Sequence, residues 1–116
     1  PVDLVRATST PMFLDLLAVR LDPAKAGDGA VSVDLIFPER HELFRVRVKH
    51  DVLTYEADPM SGVADGTFTL PRAQFLAGAL SGADLSATAT AGDRAALGRL
   101  LSWLSTPRPD FPIVTR

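Results

Sequence analysis

The sequence contains no cysteine, which excludes disulfides and thiolate metal sites. It leaves the compartment open, because oxidising environments also hold cysteine-free proteins; cytoplasmic, periplasmic and secreted settings all fit. Histidine is nearly absent as well: His41 and His50 are the only two, and they lack metal-ligand spacing. No zinc site and no cofactor are therefore expected. There is no basic excess, since 12 Lys and Arg stand against 14 Asp and Glu for a net charge of -2. Nucleic acid is thus an unlikely partner, because phosphate neutralisation needs clustered positive charge. No apolar run approaches the ~18 residues of a membrane span, and no secretory signal opens the chain. Neither a Gly-x-Ser-x-Gly elbow nor a glycine-rich phosphate loop is present; Gly27-Asp28-Gly29 is too short and precedes a strand. No catalytic residue is expected. The first residue is Pro1 rather than Met, which favours a domain excised from a larger protein.

The chain has 116 residues and a mass of 12.4 kDa, enough for a single domain spanning residues 1–116. A chain of this length buries roughly two-thirds of its unfolded surface, so one core suffices without metals or crosslinks. Hydrophobic residues at 47% and charged residues at 22% are ordinary for a soluble globular domain.

Pro1 to Thr8 could add a helical turn. Ser9-Thr10-Pro11 is a helix start, with a hydroxyl cap followed by proline in the first turn. The helix from Met12 to Leu21 is apolar nearly all round, so it is either a central core helix or one that touches the sheet on one side and a ligand or partner domain on the other. Asp22-Pro23 ends it. Val31, Val33, Leu35 and Phe37 alternate as in a half-buried strand, and Phe44 to Lys49 alternates more cleanly still. His50-Asp51 is a two-residue hairpin break before Val52 to Glu56. A loop from Ala57 to Asp65 leads to a strand over Gly66 to Leu70. Pro71 opens a helix to about Leu80, stopped by Ser81-Gly82.

Leu85 to Ala91 reads as a strand with Leu85, Ala87, Ala89 and Ala91 on an inward face that leaves space or admits a close neighbour. Asp93 caps a last helix, Arg94 to Leu104, whose apolar face carries Leu97, Leu100, Leu101 and Leu104, with Trp103 at its edge. The tail from Pro107 to Arg116 is extended. Leu97, Leu101, Phe13 and Leu17 are expected in the core. Gly78 inside a helix costs roughly 1 kcal/mol against alanine, which suggests close approach of backbone, ligand or sheet. Arg45, Arg47 and Lys49 share one strand face with Arg40 nearby, as a solvated face or as a dock for an anion. Asp65 and Glu56 could form a carboxylate pair, although nothing in the sequence brings them together.

The order of helix, three strands, loop, strand, helix, small-residue strand and Leu-rich helix resembles the sterol carrier protein-like fold. This is an α+β class with a mixed or antiparallel sheet of about five strands and helices mainly on one face. Within it the sequence closely resembles the C-terminal domain of bacterial alkyl sulfatases. The resemblance rests on Phe13 to Asp22, Leu35-Ile36-Phe37, Val52-Leu53, Ala64 to Ala73, Gly92 to Leu97 and Phe111 to Thr115.

The resemblance implies an accessory domain that captures the alkyl chain of an amphiphile for a zinc hydrolase domain of the same polypeptide. The alternatives are a purely structural domain and a free-standing sterol or lipid carrier. It implies an aliphatic or sterol-like ligand in an apolar groove, placed between the first, second and last long helices and lined by Phe13, Leu17, Phe75, Ala79, Leu80, Leu101 and Trp103. The family's His-x-His-x-Asp-His zinc motif is absent, so no catalytic residue carries over. Two departures bear on the groove. His50-Asp51 stands where family members often have Asn-Gly, and only Gly82-Ala83-Asp84 precedes the penultimate strand, a shortening that opens the groove or removes one wall.

Overall fold

Helix α1, Thr10–Arg20, starts as its sequence dictates. Ser9 is the N-cap and its side chain accepts a hydrogen bond from the Met12 N–H, with Pro11 in the first turn. The computed structural model describes residues 9–104; the expectations for Pro1 to Thr8 and for the proline-rich tail lie outside them. Asp22 ends α1 and caps the short helix α2, Pro23–Ala26, by accepting from the Ala24 N–H.

Strand β1, Ala30–Phe37, alternates in burial as in sequence, with Val31, Val33, Leu35 and Phe37 inward. Strand β2, Glu42–Lys49, pairs antiparallel with β1 and with β3, Val52–Ala57. His50 and Asp51, both left-handed at φ of +52° and +56°, form the β2–β3 turn. That is the conformation of a two-residue hairpin, and it is usually held by Asn-Gly. Strand β4, Gly66–Thr69, lies parallel to β1, and β5, Ala89–Gly92, pairs antiparallel with β4. The resulting five-stranded mixed sheet has the order β3-β2-β1-β4-β5.

Every helix of the core covers one face of this sheet. Helix α1 contacts β3, and α4, Ala96–Ser102, contacts β1 and β4. Phe75 of α3, Arg72–Ser81, meets Phe37 of β1 with ring centroids 5.7 Å apart. The core beneath them includes Leu14, Leu35, Phe68, Leu97 and Leu100. A polar cluster closes the end near the start of α1. Thr10 donates to Glu42 at 2.6 Å and accepts from the buried Arg72 guanidinium at 3.0 Å. The Arg72 backbone N–H donates to Glu39. Burial, and then the neighbouring Arg40 charge, push the Arg72 pKa down, but a guanidinium remains charged at any ordinary pH.

Four expectations are corrected. First, of the two readings of α1, the central core helix is ruled out: Leu14 and Leu17 enter the core, while Met12, Leu16 and Val19 stand in solvent. Second, Leu85 to Ala91 is a strand only from Ala89. Ser86–Thr88 is a 3₁₀ turn that drives Leu85 into the core, and Ala87 and Ala91 are exposed. The packing around Gly78 follows from that turn: an added Cβ there would lie 2.7 Å from a Leu85 methyl, so the room the glycine leaves is filled by the chain itself.

Third, the last helix starts at Ala96, not Arg94, because Asp93 accepts from the Ala95 N–H in a local turn ahead of it. Leu101 on this helix is only partly buried, as is Phe13 on α1. Fourth, Arg45 belongs neither to a solvated face nor to an anion dock. It is 5% exposed and sits directly opposite Asp34 across β1 and β2. Its Nε and Nη2 grip the two Asp34 carboxylate oxygens at 2.7 and 3.1 Å. The same guanidinium donates to the carbonyls of Ser61 and Gly62. The β3–β4 connection is thereby pinned across the outer face of the sheet. The hydrogen bonds that it donates to Asp34 hold the guanidinium pKa above its ordinary value.

Candidate functional site

The ends of four helices converge on one cleft. Arg20 closes α1, Lys25 belongs to α2, Ala79 to Gly82 end α3, and Gly98, Leu101 and Ser102 come from α4. Two contacts fix this convergence. The Asp22 N–H donates to the Trp103 carbonyl at 2.8 Å, and Leu21 and Leu104 form an isolated antiparallel bridge. Gly82, left-handed at φ +76°, terminates α3 and turns Ala83 and Asp84 along the rim. The cleft encloses about 510 Å³, within the range of small-molecule sites.

Its walls are chemically divided. Ala79, Leu80, Leu101 and Leu104 supply apolar surface, and Leu80 is 60% exposed despite lying on a helix. The same lining carries the cations Arg20 and Lys25 with Asp84, Ser81 and Ser102. Lys25 donates to the Leu104 carbonyl at 3.3 Å, which uses one of its three ammonium donors. Asp84 accepts from the Ser86 N–H, which draws its pKa below the usual carboxylate value. Gly98 faces open space, with nothing within 4 Å of an added Cβ.

Of the seven residues expected to line a groove, Ala79, Leu80 and Leu101 line this cleft. Leu17 and Phe75 are buried in the core. Phe13 lies beneath Arg72, whose guanidinium carbon is 5.2 Å from the ring centroid. It stands seven residues before Arg20, about 10 Å along the helix axis. Trp103 is half-buried at the boundary and packs over Gly29, where an added Cβ would meet its ring at 2.6 Å. Trp103 is not itself a lining residue, although it lies in sequence between two of them, Ser102 and Leu104.

Sequence reasoning missed Arg20, Lys25, Asp84 and Gly98. The first three sit at or just beyond helix ends, so only the mutual placement of those ends brings them together. The other candidates are dispersed. Arg47 pairs with Glu56 at 3.4 Å, while Asp65 accepts from the Ser32 N–H, so the two carboxylates serve separate partners. Among the described residues no three His, Asp or Glu side chains gather as metal ligands, and nothing in this donor set fits the zinc of a metallohydrolase. No helix among them is long and apolar enough to cross a membrane.

The comparisons agree with this architecture. The family model described as alkyl sulfatase C-terminal matches residues 1–116. The solved structure of a stereoselective inverting sec-alkylsulfatase, Pisa1 from a Pseudomonas species, is 30% identical, with a TM-score of 0.79, and covers 94% of this chain and 18% of that one. A double mutant of the same enzyme matches at 30% identity and a TM-score of 0.75, with the same coverage. The chain therefore spans about a fifth of the length of the structures it matches. A search among curated proteins finds no match. Matched along its whole length by the family model, and similar in fold to part of a sec-alkylsulfatase, the chain belongs to the alkyl sulfatase C-terminal family.

Proposed function

We propose that this domain is a non-catalytic module that captures the aliphatic chain of an amphiphile and presents it to a hydrolase domain elsewhere in the same polypeptide. The observation that carries this reading is the divided cleft. Ala79, Leu80, Leu101 and Leu104 offer a wall for methylene groups, and Arg20 and Lys25 in the same lining would meet a charged head group. Water leaves the apolar wall when a chain enters, while the head remains solvated at the rim. In this reading cleavage belongs to the hydrolase domain and not to this one.

Affinity is set by a small surplus. Each buried methylene contributes about 0.8 kcal/mol, and association costs several kcal/mol. A partly buried chain therefore binds in the micromolar to millimolar range. The test uses the single tryptophan. Trp103 lies in sequence between cleft residues Ser102 and Leu104, and its fluorescence is the readout of occupancy. Alkyl sulfates and alkyl alcohols are titrated below their micelle concentrations. The expected result is a saturable change that tightens by up to about fourfold per methylene and is lost in Gly98→Phe, which fills the cleft. No response at any chain length, with an unaltered unfolding midpoint, would leave the purely structural module as the better reading.

A further inference from the structure

We infer that the outward stripe of α1 is the surface on which this domain docks against the preceding, catalytic part of its own polypeptide. Met12, Leu16 and Val19 recur at intervals of four and three residues, which places them on one side of the helix. They are 56%, 57% and 82% exposed, while Leu14 and Leu17 of the same helix lie in the core. Three large apolar side chains in a row, left to water on a regular helix, mark an interaction surface rather than scattered surface residues.

The occupant follows from the comparison with longer proteins. This chain covers only 18% of the alkylsulfatase structures it resembles, and its family is their C-terminal portion, so the remaining bulk precedes it.

The other exposed apolar pair, Met60 and Val63, is the weaker candidate. It lies on the loop pinned over the opposite face of the sheet, between Asp58 and Asp65. The C-terminal end of α1 also reaches the cleft, because Arg20, the residue after Val19, is a lining residue. A body docked on α1 would border the cleft mouth, where pockets at domain interfaces commonly form. The docking inference does not depend on the cleft binding a ligand.

The two methionines provide an internal control. In the full-length polypeptide, dilute hydrogen peroxide converts exposed methionine to the sulfoxide. Peptide mass spectrometry follows Met12 against Met60, which is 93% exposed. Docking predicts Met12 oxidation at least tenfold slower than Met60. Rates within twofold of each other, which the exposures of 56% and 93% already explain, would overturn the inference.

A second measurement identifies the cover. Val19→Cys places the only thiol of this domain on the exposed stripe, where it carries a benzophenone crosslinker. Crosslinks to the catalytic part support the inference. Crosslinks confined to residues 1–8 or 105–116, or to a second copy of this domain, overturn it. The amphiphile titration at Trp103 can fail while Met12 stays protected, so the two readings fail separately.

Discussion

The two faces of the sheet are held by different means. On the helix-covered face, Phe37, Phe68, Val33, Val46 and Leu35 form a continuous apolar layer in which many contacts share the load. On the outer face, one buried guanidinium does most of the fastening: Arg45 joins β1, β2 and the loop at Ser61 and Gly62 through four hydrogen bonds. The first arrangement depends on volume and tolerates shape-conserving change. The second depends on complete partnering, because a buried charge that loses its partner is far more costly than a missing methylene. The difference teaches where each face should be fragile.

The largest effect is expected on the apolar face. Phe37→Ala removes a fully buried ring that also contacts Phe75, and should cost about 3 to 5 kcal/mol in chemical denaturation. A loss below ~1 kcal/mol would mean that the core is not organised around β1. Next comes the pin. Arg45→Ala leaves Asp34 without its counter-ion and the Ser61 and Gly62 carbonyls without donors, for about 3 kcal/mol. Replacing both partners, Arg45→Met with Asp34→Leu, should return stability to within about 1 kcal/mol of the parent, because no charge is then stranded. If the double variant is as unstable as the single one, the loop carbonyls rather than the ion pair dominate.

Smaller and opposite in sign is the β2–β3 turn. Asp51→Gly removes a side chain from a left-handed position and should stabilise by about 1 kcal/mol. Smallest of all is Arg47→Ala. Its bond to Glu56 is long and exposed, and removing it should change stability by less than about 0.5 kcal/mol. A loss comparable to that of Arg45 would erase the distinction between pinned and solvated charges on that face.

The sequence made one of these faces far more legible than the other. Val31 to Phe37 alternates large apolar with polar residues, so burial free energy alone decides which side turns inward. Leu85 to Ala91 alternates just as regularly, but between alanine and small hydroxyl residues, whose burial differs little. Only Leu85 has much to gain, and a 3₁₀ turn that buries it wins over a straight strand. Arg45 was opaque for another reason. Its partner Asp34 is eleven residues away and the loop carbonyls sixteen and seventeen, so the pin exists only once the β1–β2 register and the crossover are known. In the cleft, Ala79, Leu80 and Leu101 could be read from helical periodicity. The rim residues Arg20, Lys25 and Asp84 could not, because they meet only through the convergence of helix ends.

The central claim, that the cleft takes an aliphatic chain, is tested most directly by the Trp103 titration across a homologous series, run in parallel on Gly98→Phe. The account predicts saturable binding that strengthens with every added methylene in the parent chain. It also predicts its loss in a variant that remains folded, since Gly98 faces open space. Binding of equal strength in both proteins, or none in either, would contradict it.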